Sequence, residues 1–296
     1  MKRIALFLAT NLAILLVASV TLSLLGVPRM AYGYGVDVSL TDLLIYCAVF
    51  GFTGSIISLL ISKPIAKWSA GVQLIDQPRT QGEAWLVNTV KELADKAGIG
   101  MPEVGVFPAH ESNAFATGWN RNNALVAISE GMLQRFNKEE IRAVLAHEVG
   151  HVANGDMVTL TLIQGVVNTF VMFFARIIGG IVDRAISGNN DESPSTPGIA
   201  YYVTTFVMEM VLAVLASMIV MAFSRYREYR ADHAGASLAS RDGMISALNR
   251  LRAETEEASG LPTTLTAFGI RSGLAHRLFA SHPPLEERIA RLQQMR

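Results

Sequence analysis

Four long apolar runs divide the chain into membrane and polar parts. They cover residues 4–27, 43–62, 157–180 and 200–223, and the first two carry no charged side chain. A helix rises about 1.5 Å per residue, so each run is long enough to cross a hydrocarbon core of about 30 Å. The pattern predicts a mainly α membrane protein with four apolar spans.

The third and fourth runs each contain one charged residue. Arg176 lies near one end of the third run, and Glu209 lies deeper in the fourth. Because a charge within a span is costly, two arrangements are open. Either Arg176 and Glu209 pair across an antiparallel hairpin, or they face a water-filled cavity. The sequence also leaves open whether these two runs cross the membrane fully.

The polar residues between and after these runs are periodic. The predicted division is an N-terminal membrane hairpin at 1–62, a polar segment at 63–156, a second hairpin at 157–223 and a polar helical segment at 224–296. The elements predicted in the polar segments are helices at 83–97, 137–154, 225–238, 243–258 and 285–295, strands at 103–107 and 124–128, an extended or looped stretch at 112–118 and a turn at 120–123.

Positive charges predict the orientation in the membrane. By the positive-inside rule the side with more lysine and arginine is cytoplasmic, so both termini and both polar segments are expected there. The residues on this side are Lys2, Arg3, Lys63, Lys67, Arg225, Arg227 and Arg230, whereas the opposite loops offer mainly Arg29 and Arg184.

The first run also suits a signal peptide, because Lys2 and Arg3 precede it. However, it is longer than an ordinary signal core of about 7–15 residues, and no convincing small-x-small cleavage site follows it. The prediction is therefore a retained anchor.

Composition agrees with a membrane protein and narrows the chemistry. Of the 296 residues 51% are hydrophobic and only 17% are charged, against about 25% in soluble domains. The formal net charge of zero gives no sign of a nucleic-acid partner. The single cysteine, Cys47, excludes an internal disulfide and a cysteine-rich zinc site.

The candidate chemistry lies in the run His147-Glu148-Val149-Gly150-His151, which has the pattern H-E-x-x-H. On a helix the two histidines share one face and can bind one zinc ion, while Glu148 lies about 100° round and can act as general base. The alternative is a chance pair of core histidines. An amphipathic helix with Asn137 as N-cap and Gly155 as its stop favours the metal reading.

A third protein ligand is expected, because catalytic zinc normally has three and one open position. The metzincin pattern would continue with glycine and histidine, but Asn154 and Met157 stand at those places. The next candidate is Glu228, with Asp232 one turn later to orient a ligand imidazole. Taken alone, this pair also suits a solvated helix face, and His233 is a rival ligand.

Four motifs together resemble one known family. They are His147-Glu148-Val149-Gly150-His151, Glu228-x-x-x-Asp232, Asn113-Ala114-Phe115-Ala116-x-Gly118 and Ser281-His282-Pro283-Pro284. With the four apolar runs, essentially the whole chain resembles the HtpX-type bacterial membrane zinc metalloendopeptidases. The related CAAX-processing membrane proteases share these motifs but have more spans than this chain can hold. The resemblance implies a cytoplasmic α+β gluzincin-like protease domain made from both polar segments.

The resemblance also assigns further site residues. Asn113, Ala114, Phe115 and Ala116 would form an edge strand beside the metal helix that binds an extended peptide by β-augmentation, rather than an ordinary buried strand. His282 would donate to the developing oxyanion instead of being a plain loop residue. Arg288 would position His282 or Asp232.

The function implied by the family is membrane protein quality control under stress. One Zn²⁺ per chain would support hydrolysis of misfolded or damaged membrane proteins at the bacterial inner membrane. Two other readings remain. A silent zinc-binding scaffold is disfavoured by the intact Glu148, and a lipid or prenyl-peptide hydrolase would need a larger intramembrane cavity.

Overall fold

The computed structural model describes residues 2–24, 39–187, 197–259 and 281–295, and the fold is mainly helical. The helices are α1 (Lys2–Leu24), α2 (Leu40–Ala70), α3 (Gln81–Ala97), α4 (Glu130–Arg135), α5 (Lys138–Asn154), α6 (Asp156–Ser187), α7 (Ile199–Leu238), α8 (Arg241–Ser259) and α9 (Leu285–Gln294). The strands are β1 (Gln73–Leu74), β2 (Glu103–Phe107), β3 (Ala114–Asn120) and β4 (Asn123–Ser129).

The chain separates into two compact units. One contains Met1–Ser58 and Thr161–Val220, and the other contains Leu59–Leu160 and Met221–Arg296. Among the described residues three helices, α2, α6 and α7, are long and apolar enough to cross a membrane. Helix α1 coincides with most of the first predicted span, but its crossing remains a prediction. Between the first and second apolar runs, the structure describes residues from 39 onward.

Several helices extend beyond the predicted boundaries. A separate helix at 225–238 was the wrong expectation, because α7 is continuous from Ile199 to Leu238. No proline or glycine interrupts residues 220–230, so the helix has no reason to stop where its side chains become polar. Helix α6 likewise continues to Ser187, beyond the third apolar run, which ends at residue 180. The described parts of all three spans are thus longer than the apolar runs within them.

The two charged residues within the third and fourth apolar runs, Arg176 and Glu209, pair with each other. Nη1 of Arg176 lies 2.9 Å from Oε1 of Glu209, so the hairpin pairing is the alternative that the structure adopts. The Arg176 guanidinium also lies 5.4 Å from the ring centre of Tyr46. An open apolar groove of about 740 Å³ runs between α2, α6 and α7, lined by Phe52, Phe170 and other apolar side chains. None of the described residues that line it is charged.

The second unit contains a four-stranded sheet in the order β1-β2-β4-β3. Strands β2 and β4 are parallel, and the other neighbours are antiparallel. The predicted strands at 103–107 and 124–128 are confirmed, and the stretch 112–118 becomes part of β3, an edge strand. Asn113 lies just before that strand.

Side chains of the strands alternate between two apolar clusters, as the period of two requires. Val104, Val126 and Ala116 face the larger cluster, which α3 and α5 complete. Phe107 and Phe115 face the smaller one, with ring centres 5.4 Å apart. The sheet therefore packs against α5 through this larger cluster and holds the helix beside the edge strand.

Candidate active site

Helix α5 is defined at both ends by its own sequence. Asn137 accepts from the backbone N–H of Glu140, and the Glu140 carboxylate accepts from the backbone N–H of Asn137, which is a complete capping box. Gly155 ends the helix with φ of 68°, a left-handed conformation that favours glycine. The predicted helix boundaries are confirmed.

Glu140 also ties α5 to α8. It is buried and accepts hydrogen bonds from Ser246 Oγ at 2.7 Å and from Arg250 Nε at 3.0 Å. The helix that carries the two histidines is therefore fixed against the second polar segment.

Close contact between α5 and α7 brings the third carboxylate to the histidines. A Cβ atom at Gly150 would lie 2.6 Å from Cβ of Ala234, and a Cβ at Gly235 would lie 3.4 Å from the backbone N of His147. Glycine at both positions therefore lets the two backbones approach. The result is a buried cluster of His147, His151 and Glu228, whose candidate donor atoms all lie within 4.8 Å of one another.

In both histidines the ring nitrogen that points away from Glu228, Nδ1, faces an aspartate. Oδ2 of Asp156 lies 2.7 Å from Nδ1 of His151 in a buried hydrogen bond. Oδ1 of Asp232 lies 3.0 Å from Nδ1 of His147, although the N–H is not well aligned with that oxygen. Both contacts leave Nε2 of the imidazole facing Glu228. Carboxylates in this position favour the tautomer with the proton on Nδ1.

Two further side chains complete the cluster from α9 and the segment before it. Arg288 donates to Asp232 through Nε at 2.8 Å and Nη2 at 2.6 Å, a bidentate pair. Its position matches the second of the two predicted alternatives, the Asp232 end of the site. His282 places Nδ1 2.8 Å from Oε2 of Glu228, although its side chain is 61% exposed.

The electrostatics of the cluster favour positive histidines and an ionised Glu228. Burial disfavours the charged imidazole of His151, but Asp156 and Glu228 outweigh it and raise its pKa to about 9. Burial opposes the charge of His147 as well, yet its two carboxylate neighbours raise its pKa. Burial alone would raise the pKa of Glu228, and contacts with the three histidines instead hold it far below its usual range.

The donor set fits a divalent zinc ion. Two atoms that are each about 2.0–2.1 Å from a tetrahedral zinc lie about 3.3 Å apart. Here Nε2 of His151 lies 3.2 Å from Oε1 of Glu228, and Nε2 of His147 lies 3.6 Å from Oε2 of the same carboxylate. Oε1 of Glu228 is buried without an aligned hydrogen bond to a described residue, so a cation would satisfy it. Two imidazoles and one carboxylate are also a common zinc set.

The remaining predicted residues lie around this cluster. Glu148 is half-buried on α5. His233 is exposed and contacts Ser237, so it does not join the cluster.

The predicted peptide-binding residues lie at the edge of the sheet. Strand β3 has β4 as its neighbour on one side. Asn113 exchanges hydrogen bonds with Ser129 through its backbone N–H and carbonyl, at 3.0 and 2.8 Å. Ala114 and Ala116 pack toward the core below α5, and Phe115 packs on the other face of the sheet.

Asp156 is the site residue that sequence reasoning missed. It is completely buried, and it begins α6 directly after the turn at Gly155. Its position in the sequence is informative, because an acid directly after a helix-ending glycine, as Asp156 is after Gly155, can reach back to the last turn of that helix. The sequence does not fix the direction of that reach, so the contact was not predicted.

Comparison with known proteins assigns this arrangement to a family. The model of "Peptidase family M48" matches residues 80–296. The chain belongs to peptidase family M48. Its relatives include Protease HtpX of Pseudomonas putida strain W619, 63% identical over 99% of both chains, and Protease HtpX of Cellvibrio japonicus, 64% identical over 99% of this chain and 98% of that one. Protease HtpX of Alcanivorax borkumensis is 61% identical over 100% of this chain and 99% of that one.

A solved structure shares the fold. The crystal structure of S. mikatae Ste24p matches with a TM-score of 0.64 at 20% identity, covering 94% of this chain and 65% of that one. At this identity the likeness concerns the fold alone. The family and the HtpX relatives identify the chain as a membrane-associated metallopeptidase, a hydrolase that acts on peptide substrates, and the expected HtpX-type membership is confirmed.

Proposed function

We propose that this metallopeptidase is a zinc-dependent endopeptidase that cleaves misfolded or damaged membrane proteins. The proposal rests above all on the buried cluster of His147, His151 and Glu228 beside the half-buried Glu148. In this proposal the three clustered residues hold one zinc ion per chain. Asp232 and Asp156 orient the two imidazoles, and Arg288 holds Asp232 in place.

The proposed chemistry divides between the metal and the side chains. When bound, zinc supplies Lewis acidity that activates water and polarises the substrate carbonyl. Glu148 accepts the proton of the attacking water and later delivers it to the leaving amine. As an imidazolium, which carries a proton on each nitrogen, His282 donates Nδ1–H to Glu228 and Nε2–H to the developing oxyanion.

Substrate binding is proposed along β3. Its side chains are committed to the two faces of the sheet, so an added strand would pair with backbone groups. Binding through the backbone implies broad sequence specificity, with Asn113 to Ala116 as the contact region. Such specificity suits a protease that removes many unrelated damaged chains.

The proposed location is a bacterial inner membrane with both termini and the site in the cytoplasm. The excess of lysine and arginine on one side of the spans supports this orientation. It can be tested in a Cys47→Ala background with single cysteines at Glu111 and at Ser193. A membrane-impermeant maleimide added to spheroplasts should label Ser193→Cys and leave Glu111→Cys unlabelled, and the reverse pattern would refute the orientation.

The catalytic proposal is tested by comparing wild type with Glu148→Gln. Both are purified, loaded with zinc and incubated with an unfolded protein substrate. Wild type should cleave it, and Glu148→Gln should bind zinc equally but lose cleavage. Equal cleavage by both would refute the role of Glu148. Glu228→Ala should lower zinc occupancy, and full occupancy would refute its role as a ligand.

A further inference from the structure

The end of the β3–β4 hairpin lies beside the last turns of α2. Oγ of Thr117 on β3 is 3.0 Å from Oγ of Ser62 on α2. Nζ of Lys63 reaches Oδ1 of Asn123, at the start of β4, and lies 3.0 Å from Oε1 of Glu103. All of these residues belong to the same compact unit. This end of the sheet is therefore fixed to one short stretch of α2.

That stretch of α2 marks a membrane boundary by its own sequence. Residues 43–62 carry no charge, and Lys63 is the first charged residue after them. Twenty helical residues at about 1.5 Å each match a hydrocarbon core of about 30 Å, so Ser62 and Lys63 belong at its edge. The groups that contact them, Thr117 and Asn123, then lie at the level of the lipid headgroups.

The surface next to these contacts carries two exposed apolar side chains. Between residues 71 and 160, all of which are described, the exposed large apolar side chains are Leu74, Met101 and Trp119. Two of them lie at this end of the sheet. Trp119 is 44% exposed on the last part of β3, and Met101 is 45% exposed just before β2. The turn between β3 and β4 adds the exposed Arg121.

We propose that the tip of the β3–β4 hairpin contacts the lipid headgroup region, with Trp119 as its anchor. Tryptophan favours the membrane interface, where its ring is desolvated and its N–H stays hydrogen-bonded. Arg121 beside it suits the phosphates of the lipid surface. In water, the apolar surfaces of Trp119 and Met101 would stay exposed at a cost in free energy. At the interface of the bilayer that α2 crosses, both surfaces would be removed from water.

This contact has a consequence for substrates that rests on the proposed function. Strand β3, along which a substrate would pair, has α5 packed against it and ends at the hairpin tip. A polypeptide bound along β3 would thus extend from the metal helix to the bilayer surface. The favoured substrate class is polypeptide that emerges from the membrane next to the enzyme.

The three tryptophans of the chain allow a direct test. Double Trp→Phe variants of the full-length protein leave Trp119 or Trp85 as the sole tryptophan. Each is reconstituted in phosphatidylcholine vesicles with and without brominated acyl chains, which quench tryptophan fluorescence. The positive control replaces all three tryptophans by phenylalanine and adds Leu60→Trp, because Leu60 is 50% exposed within the apolar run of α2. Trp85 packs on the core, with Lys138 over its ring at 5.5 Å, and is the matched negative control.

Trp119 should lose fluorescence in brominated vesicles, as the Leu60→Trp control should, and Trp85 should not. Trp119 should also resist quenching by aqueous iodide. Quenching of Trp119 by iodide with no loss in brominated vesicles would overturn the membrane contact. Because this readout is independent of cleavage, that result would leave the catalytic proposal intact. Loss of cleavage in Glu148→Gln, in turn, says nothing about the position of Trp119.

Discussion

Asp156 and His151 form a buried hydrogen bond of 2.7 Å across the turn at Gly155. The carboxylate belongs to the first residue of α6, and the imidazole belongs to the last turn of α5. Asp156 thereby fixes the ring of one proposed zinc ligand from outside the helix that carries it. Its other carboxylate oxygen lies 4.0 Å from Nη1 of Arg230 on α7.

Removing this carboxylate should weaken zinc binding. Asp156→Ala frees the imidazole of His151 to rotate, and loss of such an outer partner typically lowers metal affinity about 10- to 100-fold. Asp156→Asn keeps one acceptor oxygen and should lose less. Competition with a chromogenic chelator measures the affinity. Asp242→Ala, at a side chain that is 91% exposed, is the control. An unchanged affinity in Asp156→Ala would contradict this role.

Arg288 should be needed for stability as well as for the site. Arg288→Met leaves the buried carboxylate of Asp232 without its bidentate partner, and breaking a buried pair costs about 3–5 kcal/mol. The thermal midpoint in detergent should fall. Adding Asp232→Asn to Arg288→Met removes the unpaired charge and should recover part of the lost thermal midpoint. If Arg288→Met alone were as stable as wild type, the Arg288–Asp232 pair would not stabilise the fold.

Gly150 should be sensitive to even one added methyl group. In Gly150→Ala the new Cβ would meet Cβ of Ala234 at 2.6 Å, so α7 must shift away from α5. Such overpacking costs about 1–3 kcal/mol, and the shift should also lower zinc occupancy because Glu228 moves with α7. Gly82→Ala on α3 is the matched control, since its new Cβ finds only Thr80 Oγ at 3.8 Å.

Zinc binding should release protons near neutral pH. With its pKa raised to about 9, His151 is protonated in the metal-free protein at pH 7.5, and His147 shifts in the same direction. Both must be neutral to bind a metal, so zinc binding should release about one proton from His151, and the raised pKa of His147 adds to this release. Calorimetry in two buffers of different ionisation enthalpy counts them. Release of none would show that the histidines are already neutral.

The same shift predicts how the metal-free protein responds to pH. A raised folded-state pKa stabilises the fold fully below the unfolded value of 6.5, and this contribution is lost as pH rises toward 9. The thermal midpoint of the zinc-free protein should therefore fall over this range. Asp156→Asn removes the carboxylate that contacts Nδ1 of His151, so the thermal midpoint of this variant should depend less on pH.

His282 should separate catalysis from metal binding. If it donates to the oxyanion, His282→Ala should lower kcat about 100- to 1000-fold with zinc occupancy near that of wild type. Its 61% exposure supports a small structural role. If instead its contact with Glu228 mainly orients that ligand, zinc affinity should fall together with kcat. Measuring both on the same preparation distinguishes the two roles.

The sequence by itself determined the features that depend on near neighbours. The capped helix with His147 and His151 on one face follows from the i, i+4 spacing, Asn137 and Gly155, and all of these act within a few residues. Spans and strands follow from runs and alternation of apolar residues. Helix ends were less well determined, because α7 continues through a change from apolar to polar side chains that alters its surroundings but not its backbone.

Only the tertiary structure decided which groups meet around the two histidines. Glu228 lies 77 residues after His151, and nothing local records the approach that Gly150 and Gly235 permit. Asp156 is close in sequence to His151, but the left-handed turn at Gly155 sets the direction in which it points. The contact of His282 with Glu228 requires the last segment to fold back onto α7. Such contacts depend on packing between distant elements, which the periodicity of each element alone does not specify.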